Sequence, residues 1–107
     1  MPRIVYIEPD GREVALELAP GQSLMRGAMD AGVEGIEAQC GGRCACATCH
    51  CYVRADWLDK LKPPSDDERL MLNNVAAERR PNSRLCCQLI VEPALAGLTV
   101  QFPDRQS

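Results

Sequence analysis

The sequence predicts an α+β domain, and three observations carry that reading. Strand patterns open the chain and close it, two capped helical stretches lie between them, and a further short strand pattern separates the helices. Strands, a helix, a strand, a helix and two more strands make a mixed sheet with helices packed on one face. With 107 residues the chain suits one domain, residues 1–107, able to fold alone with help from a bound centre.

Arg3 to Glu8, with Ile4, Val5, Tyr6 and Ile7, forms the first strand and reaches Asp10-Gly11, the pair most favoured in a tight hairpin turn. In the second strand Val14, Leu16 and Leu18 alternate with Glu13, Ala15 and Glu17, one face buried and the other wet, so residues 3–18 form a hairpin. Pro20-Gly21 breaks it. Ser23 then caps a helix whose Leu24, Ala28 and Ala31 recur at helical spacing with Met25 and Met29 beside them as core filler, and Gly32 ends it. His50 to Arg54 reads as a short strand, and Ala55 to Leu61 as a brief turn carrying Trp57, the only tryptophan, which packs under the neighbouring loop. After Pro63-Pro64, Ser65-Asp66-Asp67-Glu68 is a capping box that starts a helix through Leu70, Met71, Leu72 and Val75, limited by Pro81. Cys87 to Val91 is expected as a strand, Leu98, Val100 and Phe102 as the last one, and Pro103 to Ser107 as a polar tail.

Five of the seven cysteines fall between Cys40 and Cys51, next to the only histidine of the chain, His50. Thiolates so dense favour a soft metal centre, an iron-sulfur cluster or zinc, over oxygen-loving ions. Cys40, Cys46 and Cys49 are spaced C-x5-C-x2-C; the plant-type spacing C-x4-C-x2-C would call on Ala45 and Thr48, neither of which carries a thiolate. A remote pair, Cys86-Cys87, supplies the fourth thiolate. Gly41 and Gly42 let the backbone curl around inorganic sulfide and aim amide groups at the negative sulfurs. The last cysteine of the loop is followed by a strand rather than a helix, which argues against a C-x-x-C thiol oxidoreductase. Cys46-Ala47-Thr48-Cys49-His50 also spells the haem-attachment pattern, which requires export, and one histidine falls short of the two that a Rieske centre needs. His50 is read instead as making a structural hydrogen bond. A zinc module on Cys46, Cys49, Cys86 and Cys87 would leave Cys40 and its glycines without a role.

The net charge of -3 argues against nucleic acid or an anionic membrane as partner and favours a basic or neutral protein. The N-terminal residues show no charged and apolar leader pattern, and no apolar run is long enough to span a bilayer. The expectation is a soluble, cytoplasmic, reduced protein in which the odd number of cysteines serves metal rather than disulfides.

Cys40-Gly41-Gly42, Cys46-Ala47-Thr48-Cys49-His50, Met71-Leu72, Arg84-Leu85-Cys86-Cys87-Gln88 and Pro103-Asp104-Arg105-Gln106 together resemble the adrenodoxin- and putidaredoxin-type 2Fe-2S ferredoxins over nearly the whole chain, and most closely the bacterial members that serve cytochrome P450 systems. The resemblance implies a β-grasp fold with a main helix on the sheet and a second helix in an interaction segment. It implies one 2Fe-2S cluster held by Cys40, Cys46, Cys49 and Cys87, with Gly41, Gly42 and Arg43 lining the cluster loop. Cys44, Cys51 and Cys86 are then left as small buried hydrophobes. Function follows as one-electron transfer, not catalysis. An FAD-containing, NAD(P)H-dependent ferredoxin reductase reduces the monomeric carrier and a cytochrome P450 monooxygenase oxidises it, with iron-sulfur assembly as the alternative destination. Asp66, Asp67 and Glu68 are the expected partner-binding residues. Leu70 and Asn73 stand where mitochondrial relatives carry further acids, and Gln39 where some carriers have Asp.

Overall fold

The structure is a computed structural model that describes residues 2–35, 49–104 and 106. The first two strands, β1 (Arg3–Ile7) and β2 (Glu13–Glu17), form the expected antiparallel hairpin with Arg3 opposite Glu17 and Ile7 opposite Glu13. Its turn is longer than a two-residue Asp10-Gly11 connection. Glu8 N–H donates to Arg12 C=O at 2.8 Å, and Pro9, Asp10 and Gly11 turn between them, closed by Gly11 N–H donating to Glu8 C=O at 2.8 Å. Pro9 presets the first bend and Gly11 takes the left-handed φ of 93° that ends it.

Helix α1 (Leu24–Ala31) starts where Ser23 Oγ accepts from the Arg26 amide at 3.1 Å and stops at Gly32, whose amide reaches back to the carbonyls of Ala28 and Met29. It lies on the sheet through Leu24, Met25, Gly27 and Ala28, and Tyr6 Oη donates to Leu24 C=O at 2.8 Å. Met29 and Ala31, expected on the apolar stripe, are exposed: the buried face is set by the first turns, where the helix meets the sheet.

Strand β3 (His50–Val53) is buried at every position because it is interior, with antiparallel β4 (Ser83–Leu85) on one side and β5 (Thr99–Gln101) on the other. Among the described residues the order β2-β1-β5-β3-β4, with β1 and β5 parallel, makes one mixed sheet of five strands. Two short helices follow β3. In α2 (Ala55–Leu58) Trp57 is half-buried, with Lys60 Nζ 4.6 Å over its ring and Gly97 against its edge. Helix α3 (Asp66–Leu72) is capped by Ser65 Oγ accepting from the Glu68 amide at 3.2 Å, and it ends before Val75, at Asn73.

Two expectations are corrected at the C-terminal end. Cys87 to Val91 is not a strand; Cys86–Gln88 is a 3-10 turn, and only Ile90 bridges to Ser23. The backbone here is bound to the segment before α1 instead of a sheet neighbour: Leu24 N–H donates to Leu89 C=O at 2.9 Å and Val91 N–H to Gln22 C=O at 2.8 Å. The tail is not a free polar end, because Phe102, Pro103 and Gln106 are buried. Leu98, Val100 and Phe102 do point into the core formed with Ile4, Tyr6, Leu24 and Val53. No helix among the described residues is long and apolar enough to cross a membrane.

Candidate metal centre

Of the expected ligands, Cys49 and Cys87 are described; Cys40 and Cys46, together with Cys44, Gly41, Gly42 and Arg43, lie outside the described residues. Cys49 is the residue just ahead of β3, and Cys86-Cys87 follow β4 directly. The β3/β4 ladder therefore brings them together. It pairs His50 with Leu85, and one step further Cys86 N–H donates to Cys49 C=O at 2.9 Å. Beyond that step the 3-10 turn swings Cys87 towards the Cys49 thiol.

The electrostatics separate the two cysteines of the remote pair. Hydrogen bonds from the Cys86 and Cys87 thiols pull the Cys49 thiol far below its ordinary pKa; burial opposes this, and the backbone amides of Cys87 and Cys49 add to it. A thiolate is the form that binds metal. Cys86 is fully buried, and burial, followed by its neighbours Cys49 and Cys51, pushes its thiol well up, so it stays protonated. Cys87 also receives a contact from Gln88 Nε2 at 3.4 Å, the kind of N–H···S bond that stabilises a negative sulfur. Cys51 is buried beside Cys86, and Cys49, Cys51, Cys86 and Cys87 form no disulfide. The donor set of Cys49 and Cys87, soft sulfur with amide donors around it, fits an iron-sulfur cluster.

His50 makes the structural hydrogen bond expected of it. Its ring is fully buried, Nε2 lies 2.8 Å from Ser83 Oγ, and Tyr52 packs edge-on at 4.8 Å between ring centroids. Burial lowers its pKa to about 4, the Cys49 charge working against this and Arg80 with it, so the ring is neutral. Burial likewise raises Tyr6, beneath Cys51 and Cys86, and Tyr52, whose hydroxyl donates to Glu78 C=O.

The acidic turn of α3 divides. Asp66 and Asp67 are exposed, whereas Glu68 is 1% exposed and is corrected as a partner-binding residue. Its carboxylate accepts from Arg84 Nε at 2.7 Å and Nη2 at 3.0 Å, and from the Leu85 amide at 3.0 Å. The capping box is thus half formed: Ser65 caps the helix, but Glu68 is drawn inward by Arg84. Sequence reading gave Glu8 no role, and it placed Gln106 within the closing family motif but on a polar tail rather than buried. Glu8 Oε2 accepts from the Glu34 amide at 2.8 Å, and its Oε1 lies 3.7 Å from Arg12 Nε. Gly35 follows in a close-packed spot, where at φ 102° a Cβ would sit 2.7 Å from Phe102 Cβ and 2.8 Å from Pro9 Cδ. The closing Pro103-Asp104-Arg105-Gln106 motif marked Gln106, but its burial is not visible in sequence.

A mixed sheet with one helix laid on it and a thiolate-stabilising cysteine pair at the end of its β3/β4 ladder is the architecture of a small iron-sulfur electron carrier. The family described as "2Fe-2S iron-sulfur cluster binding domain" matches residues 7–92. Ferredoxin CarAc of a Sphingomonas species is 52% identical over 105 residues, covering 98% of this chain and 95% of that protein. Reduced putidaredoxin from Pseudomonas putida superposes with a TM-score of 0.96 at 46% identity, covering 98% of this chain and 99% of its own. Putidaredoxin in its covalent complex with putidaredoxin reductase superposes with a TM-score of 0.93 at 45% identity, covering 96% and 99%. The chain belongs to the 2Fe-2S ferredoxin family, in its adrenodoxin and putidaredoxin branch, with the β-grasp fold and one 2Fe-2S cluster. It is an electron carrier.

Proposed function

We propose that the chain, as a cytoplasmic monomer folded as one domain over residues 1–107, carries single electrons from an FAD-containing, NAD(P)H-dependent ferredoxin reductase to a cytochrome P450 monooxygenase. Its cluster is held by Cys40, Cys46, Cys49 and Cys87. The observation that carries this reading is the likeness over nearly the full chain to putidaredoxin in its reductase complex, joined to a Cys49 thiol tuned to ionise beside Cys87.

When bound, the cluster supplies a site that gains and loses one electron with little change in structure. The chain's own residues do the rest. Cys49 and Cys87 provide thiolate ligands, and Gln88 and the backbone amides of Cys87 and Cys49 donate to the sulfurs, offsetting negative charge. Cys86, buried and held protonated, offers no thiolate to compete with Cys87. The remaining two thiolates are taken to be Cys40 and Cys46, on their C-x5-C-x2-C spacing with Cys49 and the family resemblance. Asp66 and Asp67, exposed on α3, present negative charge to a basic partner.

The test is reconstitution of the purified, iron-loaded protein with candidate reductase and cytochrome P450 pairs, following NAD(P)H-driven substrate hydroxylation. Turnover with at least one pair is the expected result. Reduction by the reductase with no transfer to any cytochrome P450, combined with support of iron-sulfur assembly, would transfer the role to that pathway.

A further inference from the structure

Near the C-terminal end, Gln106 is 5% exposed, and its side-chain amide is spent on three hydrogen bonds to residues far away in sequence. Oε1 accepts from the His50 amide at 2.9 Å. Nε2 donates to His50 C=O at 2.7 Å and to Gly35 C=O at 2.7 Å. His50 is the residue after Cys49, and Gly35 is the last described residue before the segment 36–48. One amide therefore fastens both ends of the stretch that contains Cys40, Cys46 and Cys49. We propose that Gln106 is a positioning residue for the cluster: a clasp that holds the two ends of the ligand-bearing segment in register and keeps the backbone amide next to Cys49 paired. This inference rests on the ligand set proposed above.

Fourteen residues separate Gly35 from His50, and fully extended they would span about 50 Å. Here a single nitrogen reaches carbonyls on both sides, so the ends are neighbours. Bringing the ends of a segment together costs conformational entropy that a preformed clasp removes from the step of metal binding. Two further contacts work in the same sense: Glu8 holds the Glu34 amide, and Gly35 fits against Phe102 and Pro9 without room for a side chain. The second consequence is electrostatic. Gln106 commits the His50 N–H and C=O, peptide groups next to the Cys49 ligand in sequence, to a neutral amide. Hydrogen bonds and fixed charges around ligand sulfurs set the reduction potential. Removing the partner leaves a buried N–H next to Cys49 unsatisfied; a carboxylate in its place adds negative charge and turns an oxygen towards two carbonyls that need a donor.

The test compares Gln106→Met, which keeps the volume and removes both halves of the clasp, with Gln106→Glu, which keeps the acceptor only. Asp104→Ala, exposed in the same tail, is the control. Cluster loss in chelator is followed by visible bleaching, and midpoint potential by redox titration of the loaded proteins. Loss of the buried hydrogen bonds predicts bleaching about tenfold or more faster in Gln106→Met and Gln106→Glu. The potential shifts in both, to the negative side in Gln106→Glu, and Asp104→Ala matches the parent. Failure of the variants to load while their cluster-free chains keep parental amide protection in β1 and β5 supports the clasp as well. Parental bleaching rate and potential in Gln106→Met overturn it, even if thermal stability falls, and so does global unfolding of both variants, which would make Gln106 a determinant of the fold rather than of the site. A parent protein without iron would instead sink the ligand assignment.

Discussion

The sharpest distinction at the level of single residues is between Cys86 and Cys87, adjacent in sequence and opposite in chemistry. The 3-10 turn leaves Cys86 under the sheet with its thiol pushed up by burial, and carries Cys87 to Cys49 and the Gln88 amide. Serine at Cys40, Cys46, Cys49 or Cys87 should abolish or severely perturb the cluster, while Cys86→Ser and Cys51→Ser should spare it; iron content and the visible spectrum decide. Bleaching in Cys86→Ser but not in Cys87→Ser would reverse the assignment. Glu68 gives a second prediction. Its carboxylate and the Arg84 guanidinium are 1% and 5% exposed, so breaking the pair strands a buried charge. Glu68→Gln should cost about 3 kcal/mol or more of stability, and replacing both partners with apolar residues should recover much of it. Denaturant midpoints of the three proteins measure this, and a double variant no more stable than Glu68→Gln would show that a stranded Arg84 charge is not the cause of the loss. None of it was legible in Ser65-x-x-Glu68, because the local signal of a helix cap and the long-range pull of Arg84 compete for the same side chain, and only the second depends on the tertiary fold.

At the level of elements, α3 is a helix with a negative, solvent-facing first turn whose buried third acid is the anchor. Asp66 lies 3.4 Å from Arg69, and no ion pair among the described residues takes up Asp67. Leu70, 61% exposed, sits one turn further along. A partner meeting this helix would find one open charge beside an apolar side chain. Asp67→Lys should therefore slow reductase-to-carrier association by about threefold to tenfold at low salt and flatten its salt dependence, with the cluster spectrum unchanged. Stopped-flow reduction across a salt series measures it, and an unaltered rate with every active partner would leave Asp67 a helix-terminal residue only. Elements with strong local signals were legible in the sequence: the β1/β2 hairpin from its alternation, α1 from Ser23 and Gly32, and the start of α3 from Ser65. Those stabilised by distant backbone were not. Ser83–Leu85 is a strand because β3 is beside it, and Leu89 and Val91 look like strand residues while bonding to Gln22 and Leu24. Asn73 and Asn74 stop α3 short of Val75, a boundary that apolar spacing overruns.

Across the whole molecule, two kinds of cohesion meet at the sheet. The side made by β2, β1, β5 and α1 is held by apolar packing of Ile4, Tyr6, Leu24, Ala28, Val100 and Phe102, and by main-chain bonds such as Val5 N–H to Leu98 C=O at 2.9 Å. The end where β3 and β4 converge is lined by Cys49, Cys51, Cys86 and Cys87, small buried side chains with Cys86 in contact with Cys49 and Cys51. Metal affinity that exists only in the folded state is folding energy, and it is delivered where the ligands are. Chelation should thus lower the thermal midpoint and act unevenly. The Cys86 amide, which donates to Cys49 C=O, and the Glu34 amide, which donates to Glu8, should lose about tenfold or more of their hydrogen-exchange protection. The amides of Val5 and Phe102, in the apolar half, should keep most of theirs. Exchange measured on loaded and chelated protein separates these outcomes. If Cys86 stayed as protected as Val5 after iron removal, the packing of β3 on β4 would suffice without metal, and the cluster would be a passenger on a prefolded site rather than one of the forces that order it.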